Sequence, residues 1–169
     1  MKYYIGVDCG LDGGISILNT DGELVSRKVM PTASKGKGRK IDLCGLADLF
    51  REIGRHADQQ TFIIENPGGH APSAAGLRSM TYSFAVIETL VVANRLKYHD
   101  ILSQKWQKQF WSKPKMPKGQ KFDTKGAALD VARKLWPNES WLKTERCTKP
   151  HDGMIDAALL AEYGRRNNL

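Results

Sequence analysis

The chain has 169 residues, of which 41% are hydrophobic, and it carries a formal net charge of +8. This length and apolar content suit one folded domain with its own core, because two smaller halves would each bury little surface. The sequence has no apolar run of the roughly 18 residues that a membrane-spanning helix needs. Its first residues resemble a strand and not a signal peptide. We therefore expect a single domain over residues 1–169, with no membrane contact.

The three cysteines are widely spaced and odd in number: Cys9, Cys44 and Cys147. Without a C-x-x-C pair they indicate neither a zinc site nor a disulfide framework. Free thiols are typical of a reducing compartment, so we expect a cytoplasmic protein.

The first forty residues alternate short β-rich runs with turns. Strands are predicted over residues 3–7, 14–18 and 24–30, and the turn over residues 19–22 joins the last two. Three strands joined by tight turns predict an antiparallel start to a sheet. Residues 31–40 are rich in Gly and Lys and are predicted to form a mobile loop.

Helices and strands alternate through the rest of the chain. The predicted N-caps are Asp42, Ser103 and either Asp123 or Thr124. The predicted elements are a helix over residues 43–53, a strand over 61–64, a helix over 75–96, a strand over 98–102, a helix from 104, and helices over 124–136 and 152–165. This order predicts an α/β fold in which helices flank a mixed sheet of about five strands.

Four acidic residues stand at the ends or starts of these elements. Asp8 closes the first predicted strand and Glu65 closes the fourth, so both emerge at one sheet edge if the two strands are parallel neighbours. Asp152 and Asp156 are four residues apart and share one face of the last helix. Oxygen ligands of this kind suit Mg²⁺ or Mn²⁺. Four carboxylates can hold two such ions roughly 3.5–4 Å apart.

Each acid also has an ordinary structural interpretation. Asp8 can form a turn with the glycines after it, and Glu65 can be an exposed loop residue before the Asn-Pro-Gly-Gly break. Asp152 and Asp156 can complement the dipole at the N-terminus of a helix. Their joint occurrence at strand ends and one helix start favours the metal site.

Two segments carry six basic residues each and no acidic one, over residues 27–40 and 105–121. The second also contains Trp106, Phe110 and Trp111. This pattern predicts contacts to a nucleic-acid backbone, with rings available for stacking on bases. The alternatives are solvated loops and aromatic residues in a helix core. The predicted DNA-binding residues of these segments are Lys35, Lys37, Arg39, Lys40, Lys105, Lys108, Lys113, Lys115, Lys118 and Lys121.

Five motifs in this order resemble the RuvC-like Holliday junction resolvases, which belong to the ribonuclease H-like nucleases. The first three are Ile5-Gly6-Val7-Asp8-Cys9-Gly10, Ile63-Ile64-Glu65 and the segment from His151 to Ala161. Between them, Ser103-Gln104-Lys105-Trp106 and Thr124-Lys125-Gly126-Ala127-Ala128 resemble family segments that bring lysines to DNA. Each motif is short, so the resemblance rests on the order and spacing of the five motifs across nearly the whole chain.

The resemblance implies a ribonuclease H-like fold and a homodimer that nicks a four-way DNA junction symmetrically. It implies products with 5′-phosphate and 3′-hydroxyl ends, and two Mg²⁺ ions, replaceable by Mn²⁺, in each active site. The catalytic residues by resemblance are Asp8, Glu65, Asp152 and Asp156, with Lys125 offsetting charge on the scissile phosphate. Lys105 is a second candidate for that role. No nucleotide cofactor is implied.

The last motif departs from the commoner family pattern. Many members place the final two acids three residues apart, whereas Asp152 and Asp156 are four apart and position 153 is glycine. The wider spacing resembles the phage and organellar branch, which makes a bacterial host or an organelle matrix alternative locations. Some members use a histidine here, so His151 is a further candidate metal ligand. Its alternative is a surface residue at a helix start.

Two more residues are candidates because of the loop that follows Glu65. The segment over residues 66–76 is rich in Gly, Ala and Pro and is predicted either to read the branch point or to act as a flexible connector. In the first case His70 and Arg78 contact the DNA backbone. The apolar stretch over residues 84–96 is predicted either to form the dimer interface or to belong to the core.

Three other functions compete with junction resolution. A ribonuclease H-type or other branched-DNA nuclease uses the same acids on a different substrate. A non-catalytic DNA-binding module keeps the fold and the basic surface alone. Actin-like kinases also begin with a strand, an Asp and glycines, but they need two such domains, and their pattern gives no reason for Asp152 and Asp156.

Overall fold

The structure, a computed structural model, describes residues 2–36, 38–55, 59–68 and 73–169. The elements in these residues are β1 (Tyr3–Asp8), β2 (Gly14–Asn19), β3 (Leu24–Val29), β4 (Thr32–Lys35), β5 (Gly38–Ile41), α1 (Leu43–Gly54), β6 (Gln60–Asn66), α2 (Ala74–Ala93), β7 (Lys97–Leu102), α3 (Ser103–Phe110), α4 (Thr124–Leu135) and α5 (Asp152–Arg166). Among the described residues, no helix combines the length and apolar character needed to cross a membrane.

Five strands form one mixed sheet in the order β3-β2-β1-β6-β7. β1, β2 and β3 pair antiparallel, as the tight turns between them predict. β6 runs parallel to β1, and β7 runs parallel to β6, because α1 and α2 carry the chain back along the sheet before each strand. The predicted α/β fold with about five strands flanked by helices is confirmed.

Two apolar cores lie on opposite faces of this sheet. Successive strand residues alternate between the faces, so Tyr4 and Ile63 belong to one core while Ile5 and Phe62 belong to the other. The first core is shared with α3, α4 and α5, and the second with α1 and α2. Burial on both faces explains the nearly continuous apolar runs in β1 and β6. Cys9, Cys44 and Cys147 are all free thiols, as their spacing predicts.

The segment over residues 31–40 is not the mobile loop that its composition predicts. It contains the hairpin of β4 and β5, in which Thr32 pairs with Ile41 and Lys35 with Gly38. Gly36 adopts a φ of +57°, a conformation that glycine accepts without strain. Composition was misleading because Gly and Lys are poor strand formers, whereas backbone pairing and the burial of Ile41 stabilise this hairpin.

Two of the three predicted helix caps are confirmed. The side chain of Asp42 accepts a hydrogen bond from Gly45 N at the start of α1, and Asp123 accepts one from Gly126 N at the start of α4. The prediction for Ser103 is wrong. Ser103 is the first residue of α3, and Leu102 occupies the cap position without any side-chain hydrogen bond.

The aromatic residues of the second basic segment serve the core. Trp106 is fully buried, and its ring packs edge-on against Phe110 and Trp111, with centroid distances of 6.2 and 5.7 Å. Phe110 and Trp111 are half-buried and pack against the core on the α5 side of the sheet. The stacking prediction is therefore wrong for Trp106, and the alternative of a helix core residue is correct.

Candidate active site

The parallel pairing of β1 and β6 brings the first two acids together. The register pairs Val7 with Ile64, so Asp8 and Glu65 follow side by side at the carboxyl edge of the sheet. Neighbouring residues in register project from the same face of a sheet, here the face covered by α5. Asp8 Oδ1 also accepts a hydrogen bond of 3.1 Å from Gly10 N. Asp8 thus also forms the turn that was its alternative interpretation.

Glycine contacts place the start of α5 beside Asp8. Gly13 and Gly153 form an isolated parallel β-bridge between the turn after β1 and the first turn of α5. A Cβ atom on Gly153 would lie 2.5 Å from the Cα atom of Gly13, and one on Gly14 would lie 2.7 Å from the carbonyl oxygen of Gly153. A Cβ on Gly6 would lie 2.6 Å from Ala161 N. The helix therefore packs directly on backbone.

This contact explains why the last two acids are four residues apart. An acidic side chain at position 153 would overlap the backbone of Gly13, so the three-residue spacing is excluded here, and the acid of the helix start is Asp152. Asp152 and Asp156 then share one face, and both are half-buried. Lys125, in the first turn of α4, forms an ion pair with Asp152.

His151 is the N-cap of α5. Its Nδ1 atom accepts a hydrogen bond of 3.3 Å from Met154 N, which leaves Nε2 as the ring atom for any metal contact. Partial burial, followed by the positive charge of Lys143, lowers the pKa of His151. The interpretation of His151 as a helix-start residue is correct, and its role as a metal ligand stays a prediction.

The acids at this edge interact strongly with one another. Burial, with repulsion from Asp12 and Asp152, raises the pKa of Asp8 to about 6. Burial and repulsion from Asp8 raise the pKa of Glu65 to about 7. Burial, then the charges of Asp8, Glu65 and Asp152, raises the pKa of Asp156 well above its usual range, and the charge of Lys125 lowers it. The carboxyl groups therefore repel one another when they ionise, and a bound cation would relieve that repulsion.

The raised pKa values predict how stability depends on pH in the absence of divalent metal. A carboxyl group with a higher pKa in the folded state favours folding at low pH, and this contribution is lost as pH rises through the folded value. The free energy of unfolding should therefore fall between about pH 4 and pH 7. Asp8→Asn should stabilise the protein at pH 8 by about 1 kcal/mol, allowing for partial solvent screening, and by about half as much at pH 5.

Urea denaturation in EDTA at both pH values measures this difference. Asp48→Asn, an exposed acid paired with Arg51 on α1, is the control and should change stability equally at both pH values. A stabilisation by Asp8→Asn that is the same at pH 5 and pH 8 would contradict the electrostatic interpretation.

The acids fit a divalent cation in their chemistry. All four donors are carboxylates, which Mg²⁺ and Mn²⁺ prefer. As the side chains stand, no three His, Cys, Asp or Glu groups within the described ranges form a ready coordination shell. Asp8 and Glu65 nevertheless lie side by side on adjacent strands, and the charge of Asp8 raises the pKa of Glu65. Bound metal at these residues stays a prediction.

Four predicted DNA-binding residues come together in one cleft. A cavity of about 330 Å³ between the hairpin and α2 is lined by Lys35, Arg39, Lys40 and Arg78. Leu11, three residues after Asp8, also lines it. Arg39 forms an ion pair of 2.7 Å with Asp12, in the turn that carries Asp8. The cleft therefore adjoins the acidic edge of the sheet.

The second basic segment lies on α3 and the chain that follows it. Its six lysines are exposed, and Lys113 Nζ donates a hydrogen bond of 2.8 Å to Gln107 Oε1. The exposed lysines are Lys105, Lys108, Lys113, Lys115, Lys118 and Lys121. Lys37 and His70, the other two predicted DNA-binding residues, lie outside the described residues.

The sequence interpretation missed the side chains that contact Glu65. The hydroxyl of Ser103 donates a hydrogen bond to Glu65 Oε1. The indole N–H of Trp106 is buried and has no partner of hydrogen-bond geometry among the described residues, yet its attraction lowers the pKa of Glu65. The signal was the position of Ser103 directly after β7, the strand that pairs with β6.

The sequence matches no protein-family model and no curated protein. Similar solved structures do exist. A structure described as T. thermophilus RuvC in complex with Holliday junction substrate has a TM-score of 0.64 and 10% sequence identity, and the match covers 99% of this chain and 96% of that chain. A second Thermus thermophilus RuvC structure has a TM-score of 0.63 and 11% identity, over 98% and 96% of the two chains. The protein thus has the ribonuclease H-like fold of RuvC along nearly its whole length.

Proposed function

We propose that the protein is a divalent-metal-dependent endonuclease that resolves four-way DNA junctions. The observation that carries this proposal is the arrangement of Asp8, Glu65, Asp152 and Asp156 at one sheet edge, beside a basic cleft. Further support is the fold, since a structural neighbour was solved with a Holliday junction substrate. A basic protein with a local acidic site suits phosphodiester hydrolysis, because DNA attracts the surface while the acids hold cations.

In this proposal the carboxylates act as metal ligands. Asp8, Glu65 and Asp156 hold the cations, and Asp152 completes the set once a substrate phosphate competes for Lys125. Divalent ions supply activation of the attacking water and neutralisation of charge on the leaving oxygen. Lys125, on the exposed side of Asp152, offsets the charge of the scissile phosphate, and Lys105 is the second candidate for that role.

We infer that the basic cleft holds the backbone of the DNA strand on its way to the acids. The cleft is lined by Lys35, Arg39, Lys40 and Arg78. Among the described residues, the only acid that forms an ion pair with one of these four is Asp12, which pairs with Arg39. The lysines of α3 and residues 111–121 extend a second basic surface. Because each phosphate contact releases counterions, junction binding should weaken steeply with salt.

Symmetric cleavage of a junction needs two active sites, so we propose a homodimer. The outer face of α2 is a candidate interface because Tyr82 and Val92 are exposed, while Ile87 and Val91 on the opposite face are buried in the core. The buried face of α2 therefore belongs to the core, as one of the two alternatives predicts, and the exposed face is the one that we propose as the interface.

The test is cleavage of a synthetic four-way junction by the purified protein with Mg²⁺, Mn²⁺ or EDTA. Paired nicks that DNA ligase reseals are expected with metal, since ligase requires 5′-phosphate and 3′-hydroxyl ends. A supercoiled plasmid with a cruciform should become linear and not merely nicked if a dimer cuts both strands. Linear duplex and an RNA–DNA hybrid of the same sequence are the matched substrates. Cleavage of the hybrid with an intact junction would favour a ribonuclease H-type activity, and binding without any cleavage would favour a DNA-binding module.

A further inference from the structure

The pairing of β6 with β7 places Ser103 next to the carboxylate of Glu65. β6 and β7 are parallel neighbours, and their register pairs Glu65 with Ile101. Two residues later the chain begins α3, and the hydroxyl of Ser103 donates a hydrogen bond to Glu65 Oε1. A neutral donor to a carboxylate makes a charge-assisted bond, which is stronger than a bond between two neutral groups.

The hydroxyl of Ser103 does not cap α3, although the helix begins at this residue. Serine is among the preferred residues for capping the free N–H groups of a helix start. α3 nevertheless starts without a side-chain cap, whereas α1, α2 and α4 are capped by Asp42, Ser73 and Asp123. A side-chain cap stabilises a helix start, so α3 lacks a local stabilisation while the Ser103 hydroxyl contacts Glu65.

Trp106 presents a second donor from the same helix. It stands three residues after Ser103, on the same face of α3, and its side chain is fully buried. Its indole N–H has no partner of hydrogen-bond geometry among the described residues, and the presence of Trp106 lowers the pKa of Glu65. A buried donor without a partner is unfavourable, so a small movement that lets Glu65 accept from the indole would stabilise the site.

The helix that carries both donors is firmly held. The ring of Trp106 packs against Phe110 and Trp111, and all three belong to the core that α3 shares with α5. The two donors therefore have a rigid support, which a group that orients a metal ligand requires.

We propose that Ser103 and Trp106 form a donor clamp that holds Oε1 of Glu65 and leaves Oε2 for the divalent cation shared with Asp8. Ser103 is a positioning residue that acts through Glu65. This inference rests on the proposed function, since it assigns the clamp to the same metal site. Groups that orient metal ligands in this way typically change metal affinity or activity by roughly 10–100-fold when they are removed.

The test compares Ser103→Ala with Ser103→Thr, which keeps the hydroxyl. Mn²⁺ binding to the DNA-free protein is measured from the electron paramagnetic resonance signal of free Mn²⁺, and the Mn²⁺ midpoint for junction cleavage is measured in parallel. Ser103→Ala should weaken Mn²⁺ binding and raise the midpoint by about tenfold. Ser103→Thr should stay within about threefold of the wild type in both measurements. Trp106→Phe removes the N–H group and keeps an aromatic ring, and it should shift both values in the same direction as Ser103→Ala.

The outcomes separate this inference from the proposed function. If the wild type binds Mn²⁺ and cleaves junctions, and Ser103→Ala has the same Mn²⁺ affinity and midpoint, the clamp is wrong and the function stands. A lower melting temperature of metal-free Ser103→Ala with unchanged Mn²⁺ affinity likewise overturns the clamp, because it indicates a purely structural role. If the wild type neither binds Mn²⁺ nor cleaves, both proposals fail.

Discussion

Replacing Asp8 with asparagine should reduce the rate of junction cleavage about a thousandfold, equivalent to about 4 kcal/mol of lost transition-state stabilisation. Asp8 stands at the centre of the acidic edge, since its charge raises the pKa values of Glu65 and Asp156 alike. The asparagine side chain has the same shape as aspartate, so the fold is kept. It lacks the negative charge, so it binds a cation more weakly. Glu65→Gln should behave in the same way, and the double variant should lose little more, because ligands of one site act as a unit.

Junction binding separates a loss of chemistry from a loss of substrate contact. Asp8→Asn should bind a four-way junction within about threefold of the wild type, because it removes no positive charge from the phosphate-facing surface. Single-turnover cleavage at saturating Mg²⁺ and gel-shift binding in EDTA, where the junction stays intact, measure the two effects. Asp48→Asn on α1 is the matched control and should cleave normally, since Asp48 pairs with Arg51 on an exposed helix surface. Equal cleavage by the wild type and Asp8→Asn would remove Asp8 from the site.

Replacing Gly153 with alanine should destabilise the protein by about 3 kcal/mol, the upper end of what overpacking usually costs. The added Cβ would overlap the backbone of Gly13, which cannot rotate away as a side chain can. The start of α5 would have to move away from the turn after β1, carrying Asp152 and Asp156 with it. Cleavage should therefore fall together with stability.

The melting temperature of Gly153→Ala should drop by about 10 °C, given about 2–4 °C for each kcal/mol in a chain of this length. Gly38→Ala is the control, because a Cβ there would meet nothing closer than Lys35 O at 3.7 Å. Its stability should change by less than about 0.5 kcal/mol. If both variants melt at the same temperature as the wild type, the close packing of α5 on the turn is not required for stability.

The residues at strand ends show what local pattern can predict. Apolar runs that end in Asp8 and Glu65 indicate two buried strands with an acid at the same end of each, and the helix between them predicts that they are parallel. Given their four-residue spacing, helical geometry alone places Asp152 and Asp156 on one face of the last helix. These features depend on neighbours in the sequence, so the sheet and the candidate metal ligands could be predicted without coordinates.

The failed predictions have a common physical cause. The hairpin of β4 and β5 has a composition typical of a loop, and only pairing between the two strands makes it ordered. Ser103 has the residue type and position of a helix cap, and only the arrival of β7 beside β6 gives its hydroxyl a carboxylate instead. In both cases a contact between distant segments outweighs the local preference.

The sequence by itself therefore determined the mixed sheet, the order of its elements and the four acids, because periodicity and chain direction place these features. Only the tertiary structure decided how the acids meet. Gly13 and Gly153 bring backbone against backbone, which sets the position of α5 and of its acids beside Asp8. It also decided that Trp106 belongs to the core, and that the hairpin and α2 enclose one basic cleft, because these contacts join residues far apart in the chain.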